Sequence, residues 1–152
     1  MKPLLVILFT LIGWTTSIAQ SQNPKYNKSL ADSLGADDYG MKMYTLVILK
    51  TGENKSLDKK TRDSLFRGHF QNVRRLADEG KLIIAGPMEN NDKHYEGIFV
   101  LNVKTIDEAK KLLDTDPTIK AKLLDPELYQ WYASAALPMF MKYHDNVKKK
   151  DF

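Results

Sequence analysis

Residues 65–87, LFRGHFQNVRRLADEGKLIIAGP, join a helical pattern to a strand pattern through one glycine. Apolar residues recur at three- and four-residue spacing as far as Ala77, which is the stripe of an amphipathic helix. Gly80 follows as a helix stop, and residues 81–85 are a short apolar run. The stretch therefore predicts a helix over residues 57–79 that is followed directly by a strand.

The flanking segments supply three more strands and a second helix. Apolar runs rich in β-forming residues predict strands at residues 43–49, 97–103 and 128–132. The second helix begins at Thr105, where Glu108 three residues later completes a capping box, and it ends near Leu113. The order β-α-β-β-α-β is that of the ferredoxin-like split βαβ unit. We predict an α+β subunit whose four-stranded antiparallel sheet carries both helices on one face.

The strand at residues 43–49 is apolar at adjacent positions, which indicates burial on both faces of the sheet. One face is covered by the helices, and the other also needs a cover. A second copy of the chain is the simplest cover, so we predict a homodimer.

The N-terminus has the pattern of an export signal. Lys2 precedes an apolar run from Leu4 to Ile12, and the small residues Ser17-Ile18-Ala19 follow. A membrane anchor is the alternative, but it needs about 20 apolar residues, and this chain is polar from Thr15 onward. We expect cleavage and a periplasmic or secreted protein without stable membrane insertion. The predicted parts are therefore a signal peptide (1–19), a flexible leader (20–40), a ferredoxin-like domain (41–135) and a basic tail (136–152).

Composition excludes several functional classes. The chain has no cysteine, which excludes a disulfide framework, a thiolate zinc site and a cysteine nucleophile. Its formal charge of +4 lies mostly near the two termini, so no nucleic-acid-binding face is indicated. The three histidines lie too far apart for a helical metal motif, and no nucleotide-binding motif occurs. We expect neither a metal nor a cofactor.

Two residues are candidates for acid–base chemistry. His69 lies within or beside the apolar stripe of the first helix, where it is either a general base or a core-edge histidine bonded to a carbonyl. Asp116 precedes Pro117, a common N-cap arrangement, and Asp125-Pro126 repeats that form. Paired with His69, Asp116 would fix the imidazole tautomer and raise the basicity of the other nitrogen. The sequence alone does not bring them together.

The stretch from residue 43 to residue 131 resembles the YCII-related (YciI-like) family of the dimeric α+β barrel group. The resemblance rests on an ordered set of motifs, namely RGHFQNVRRLADEGKL with His69, Ile84-Ala85-Gly86-Pro87, Gly97-Ile98-Phe99-Val100-Leu101, Asp107-Glu108-Ala109, Asp116-Pro117 and Trp131. Membership implies sheet-to-sheet pairing and a cleft in which His69 and Asp116 form a catalytic dyad. It implies acid–base chemistry without a cofactor and names no substrate.

Three functions compete at this point. The first is an exported enzyme of isomerase or lyase type that acts on a small organic substrate, with a pocket at Gly86, Pro87, Met88 and Trp131. The second is a non-catalytic module that holds a small ligand in the same cleft. The third is a structural dimeric domain in which the dyad is only a hydrogen bond. A histidine on an apolar stripe favours the first two, and the missing metal and nucleotide motifs slightly favour the last two.

Overall fold

The computed structural model describes residues 23–150 and places four antiparallel strands in one sheet, in the order β2-β3-β1-β4. In chain order the elements are α1 (Lys28–Leu34), β1 (Met41–Thr51), α2 (Lys59–Asp78), β2 (Leu82–Pro87), β3 (Tyr95–Leu101), α3 (Ile106–Leu113), α4 (Pro117–Lys120), β4 (Leu124–Ser134), a 3-10 turn (Leu137–Phe140) and α5 (Met141–Val147). The predicted β-α-β-β-α-β order and the α+β ferredoxin-like fold are confirmed.

The central strand β1 decides how the two faces of the sheet are covered. It pairs with β3 on one side and with β4 on the other, so that Val47 lies opposite both Phe99 and Leu128. Alternate residues of a strand point to opposite faces. Val47 therefore packs in the core that faces the helices, and Tyr44 packs in a second cluster on the outer face. Each of the two residues is fully buried on its own face.

The helices begin and end where the capping residues direct them. The Asp58 side chain accepts the Thr61 amide at the start of α2, and Gly80 beyond its end has a φ of 65°. At α3 the predicted capping box of Thr105 and Glu108 is present. Both helices bury their apolar stripes in the same core, Leu76 from α2 and Leu113 from α3 among them. Burial of the Leu76 side chain stabilises the fold by about 1.5–3 kcal/mol.

Two proline-containing pairs belong to strands, one at the end of its strand and one inside it. Gly86 and Pro87 belong to β2, and Asp125 and Pro126 belong to β4. Because β2 and β4 are the two edge strands of the sheet, one side of each needs no ladder hydrogen bonds. A proline is tolerated at that side. Pro117, by contrast, begins α4 directly after its N-cap Asp116.

Residues 28–34 lie in the predicted leader and form a short helix, α1. Asn27 caps this helix by accepting the Leu30 amide, and Gly35 ends it in a left-handed conformation. None of its residues is buried, and its apolar positions Leu30, Ala31 and Leu34 cover a single turn, which is too short for periodicity to predict a helix. Further along, Asp37 accepts the Tyr132 hydroxyl and ties the leader to β4. The predicted signal peptide, residues 1–19, lies outside the described residues.

The C-terminal segment, which the sequence left unassigned, folds against the outer face of the sheet. Leu137 and Met141 pack on the cluster that contains Tyr44, Val100 and Ala133. The segment thus covers part of the face that was expected to need a second copy. None of the helices within residues 23–150 has the length and apolar character needed to cross a membrane.

Candidate functional site

His69 and Asp116 meet in the interior of the helix-facing layer. His69 projects from the middle of α2 and is 7% exposed, and Asp116 is fully buried at the N-cap of α4. The His69 Nδ1 lies 2.7 Å from the Asp116 Oδ2. The structure therefore brings together the two residues that local patterns name separately and that the family resemblance pairs.

The Asp116 carboxylate is held by α4 as well as by the histidine. Its Oδ1 accepts the Thr118 amide at 2.9 Å and the Thr118 hydroxyl at 2.6 Å, which is the expected N-cap geometry. Burial disfavours the charged form, but the hydrogen bonds from His69 and Thr118 outweigh it and hold the pKa of Asp116 below its ordinary value.

The ionised carboxylate fixes the tautomer of the imidazole. A carboxylate without a proton can only accept, so the His69 Nδ1 must donate to it. In the neutral ring the lone pair then lies on Nε2. Within the described residues, no group hydrogen-bonds Nε2, and every buried polar side-chain atom there has a partner. Nε2 therefore accounts for part of the small exposed area of His69, and it can accept a proton.

Aromatic side chains fix the plane of the His69 ring. Phe99 from β3 stacks on it at 5.8 Å with an interplanar angle of 17°. Phe66 and Phe70, on the same helix as the histidine, present edges to it at 6.0 and 5.4 Å. These three phenyl rings leave the imidazole little freedom to rotate, and they lower the local dielectric constant around His69 and Asp116.

A second polar link, which sequence reasoning missed, joins the same elements one helical turn further on. Asn72 is buried, and a hydrogen bond of 2.9 Å joins its side-chain oxygen to the hydroxyl of Thr115, the residue before Asp116. Arg75 donates to the same oxygen at 2.8 Å. The link keeps the loop that carries Asp116 close to α2. The only sequence signal was an asparagine three residues after His69.

Gly68 permits the close approach of α2 to α4. A Cβ on this residue would lie 2.8 Å from the Pro117 Cγ, closer than real Cβ atoms come. A glycine inside a helix costs about 1 kcal/mol relative to alanine, so its presence beside His69 was a detectable signal of close packing.

The four residues predicted to line a pocket lie in two places, three at the end of β2 and one on β4. Gly86 and Pro87 end β2 opposite Ile98 and Gly97, and Met88 continues that edge with its amide bonded to the Glu96 carbonyl. Trp131 pairs with Tyr44, and their rings are 6.3 Å apart on the outer face. Because the dyad lies on the helix-facing side, Trp131 is separated from it by the sheet.

A groove with a volume of about 410 Å³ runs along the free edge of β2, between α2 and α5. Its walls include Phe70 and Val73 from α2, residues 82–85 from β2, and Phe140 and Met141 from the C-terminal segment. The groove thus uses the first four residues of β2, and Gly86 and Pro87 follow them at the end of the strand. It begins next to the dyad, since Phe70 contacts the His69 ring.

The other histidines have different surroundings. His94 lies in the exposed loop before β3 with a φ of 56°, and His144 lines the groove from α5. Across residues 23–150, no cluster of three histidine or acidic side chains has a geometry that could hold a metal ion.

The chain is similar to known proteins over its central part. A family profile described as the YCII-related domain matches residues 43–131. Among solved structures, 5-chloro-2-hydroxyhydroquinone dehydrochlorinase (TftG) from Burkholderia phenoliruptrix AC1100, in complex with 2,5-dihydroxybenzoquinone, matches with 20% identity and a TM-score of 0.42. The match covers 59% of this chain and 93% of that one. No curated protein matches the chain.

Proposed function

Because the chain belongs to the YCII-related family, we propose that it is a cofactor-independent acid–base enzyme of isomerase or lyase type that acts on a small organic substrate. His69 is the general base, and Asp116 is its positioning residue. The proposal rests on one observation, the buried hydrogen bond of 2.7 Å between the His69 Nδ1 and the Asp116 carboxylate. Because Nδ1 donates in this bond, the lone pair of the neutral ring lies on Nε2.

The chemistry follows from that lone pair. Nε2 takes a proton from a carbon next to a carbonyl group, and the electrons of the broken C–H bond move toward the carbonyl oxygen. The imidazolium that forms is stabilised by the Asp116 carboxylate. Nε2 then returns the proton to another carbon, which completes an isomerisation. Alternatively, the electrons expel a leaving group from the neighbouring carbon, which completes an elimination.

The substrate would approach from the side of β2. Nδ1 and Nε2 lie on opposite sides of the imidazole ring, so Nε2 is directed away from Asp116 on α4. The groove along β2 begins near the ring at Phe70, and Gly86 and Pro87 complete the strand beyond it, with Met88 next. We assign Trp131 to the outer face instead.

Hydrogen–deuterium exchange tests the proposal without a known substrate. A panel of β-keto esters, enol lactones and β-halo ketones is incubated with the full chain in deuterated water, and exchange at the acidic carbon is followed by NMR. His69→Gln should lower the rate about 10²- to 10⁴-fold, the usual contribution of a positioned base. His94→Gln is the control, because His94 lies outside the site, and it should retain full activity.

One observation favours the non-catalytic alternative, namely that the His69 side chain is only 9% exposed. If no compound of the panel exchanges faster with the wild type than with His69→Gln, the pair serves binding or structure, and the catalytic proposal is wrong.

We also propose that two copies pair through the outer face of the sheet. The C-terminal segment covers part of this face, but Tyr129 and Trp131 on β4 remain 46% and 37% exposed. A second copy would bury them beside the half-buried Ile48 and Ile98.

Export to the periplasm or outside the cell is the remaining proposal. It rests on the sequence pattern at Lys2, Leu4–Ile12 and Ser17-Ile18-Ala19. Mass spectrometry of the native protein should find an N-terminus at or near Gln20, whereas a retained Met1 would contradict cleavage.

A further inference from the structure

The groove along β2 lies between two walls, and only the wall formed by α2 belongs to the segment that the family profile matches. The second wall is C-terminal to that segment. The profile ends at residue 131, whereas α5 and the turn before it supply Phe140, Met141 and His144 to the lining. This segment is anchored, because Leu137 and Met141 pack on the outer-face cluster of the sheet. The second wall is therefore a fixed part of the fold that lies outside the family domain.

We propose that the segment from Leu137 to Lys148 completes a binding groove for an uncharged, mainly apolar small molecule. The proposal rests on the proposed function in one respect, because it assigns this groove as the place where the substrate of His69 binds. The binding itself is independent of the chemistry.

The apolar character follows from the lining. Phe70 on α2 and Phe140 on the C-terminal segment are 53% and 45% exposed, although both line the groove. Leaving two phenyl rings in water is unfavourable, and a ligand between the walls would remove apolar area from solvent on both. The volume of about 410 Å³ falls within the range of small-molecule sites.

The absence of ligand charge follows from the balance of the lining. Two cationic residues, Arg74 and Lys148, are matched by two acidic ones, Asp78 and Asp145. Lys148 and Asp145 form an ion pair at 2.6 Å. Among the described lining residues only His144 can add a charge, so the groove offers no strong net charge to an ion.

The groove also lies within reach of the dyad. The ring of Phe70 is 5.4 Å from that of His69, and Ala85 in the groove pairs with Phe99, on which His69 stacks. A molecule held between Phe70 and Phe140 would thus have one end beside the imidazole.

Methyl NMR of the full chain tests the groove with three matched probes, benzyl alcohol, benzoate and benzylamine. Benzyl alcohol should shift the methyl resonances of Ala77, Ile83 and Ala85 at millimolar concentration, and the two ions should bind more weakly. Stronger binding of either ion would contradict the uncharged class. Shifts that are absent or confined to other residues would overturn the groove itself.

Two variants test the walls. Phe140→Ala should weaken benzyl alcohol binding about tenfold, the loss expected for one large aromatic contact. Tyr143→Ala, also on the C-terminal segment but outside the lining, is the matched control and should bind normally. Ala77→Leu fills the groove from α2 and should also weaken binding, which covers the case of a Phe140→Ala variant that fails to fold. Unchanged binding in folded Phe140→Ala would contradict the C-terminal wall.

His69→Gln separates this proposal from the catalytic one. Its groove should still bind benzyl alcohol, because the walls with Phe70 and Phe140 remain in place. Normal binding without any His69-dependent exchange would contradict the enzyme proposal and support the groove.

Discussion

At the scale of single residues, Asp116 has two roles that the sequence presented as alternatives. One carboxylate oxygen caps α4 through Thr118, and the other accepts His69. An aspartate before a proline predicts the cap from local spacing. The pairing with a histidine 47 residues away was expected only from the family resemblance, because no local periodicity reports on contacts across so long a stretch of chain. Asn72 was missed because its partner Thr115 is 43 residues away and no motif of the resemblance names the pair.

The lowered pKa of Asp116 predicts a pH-dependent contribution to stability. A carboxyl group whose pKa is lower in the folded state stabilises the fold above its unfolded pKa of about 3.9. That contribution is lost as the pH falls through the lower, folded value. Asp116→Asn should therefore lower the free energy of unfolding at pH 7, by about 1.5–3 kcal/mol for the lost hydrogen bonds to a charged group. In acid the two proteins should converge.

Urea denaturation between neutral and strongly acidic pH measures this difference. Asp92→Asn, in the exposed loop before β3, is the matched control. A stability difference between wild type and Asp116→Asn that stays constant across the acidic range would contradict the assignment.

At the scale of elements, periodicity and capping residues predicted which segments form helices and strands, and packing decided where they end. The apolar stripe of α2 and the capping box of α3 could be predicted from the sequence because each is a local pattern. The last strand was predicted to begin at residue 128, but it begins at Leu124, because an edge strand tolerates Pro126 and edge position is a property of the whole sheet.

Gly68→Ala tests whether close packing of α2 on α4 sets the site. Alanine improves helix propensity, but its Cβ would meet the rigid ring of Pro117 and push Asp116 away from His69. We expect a net loss of stability of about 1–3 kcal/mol from overpacking, measured by thermal or urea unfolding. Gln71→Ala on the exposed face of α2 is the control. A Gly68→Ala variant more stable than the wild type would show that the contact does not constrain the helices.

At the scale of the whole molecule, the adjacent apolar residues of β1 correctly predicted a sheet that needs cover on both faces. The identity of the cover was harder to predict, since the C-terminal segment supplies part of it from a region with no clear pattern. The remaining aromatic area at Tyr129 and Trp131 on β4 is where we expect a second copy to pack.

Light scattering on residues 20–152 should accordingly give about twice the subunit mass. Trp131→Glu should shift the protein toward monomer, because a charge would be buried in the interface. Tyr26→Glu alters an aromatic residue on the exposed leader and should leave the dimer intact. A wild-type monomer at micromolar concentration would contradict the pairing.

The central claim is that Asp116 holds the His69 imidazole with its proton on Nδ1 and its lone pair on Nε2. Long-range proton–nitrogen NMR on the ¹⁵N-labelled chain reads this directly, at a pH where the ring is neutral, with His94 as an internal reference. We predict the Nδ1–H tautomer for His69 in the wild type and its loss in Asp116→Asn. An Nε2–H tautomer in the wild type, or an unchanged His69 spectrum in Asp116→Asn, would contradict the account.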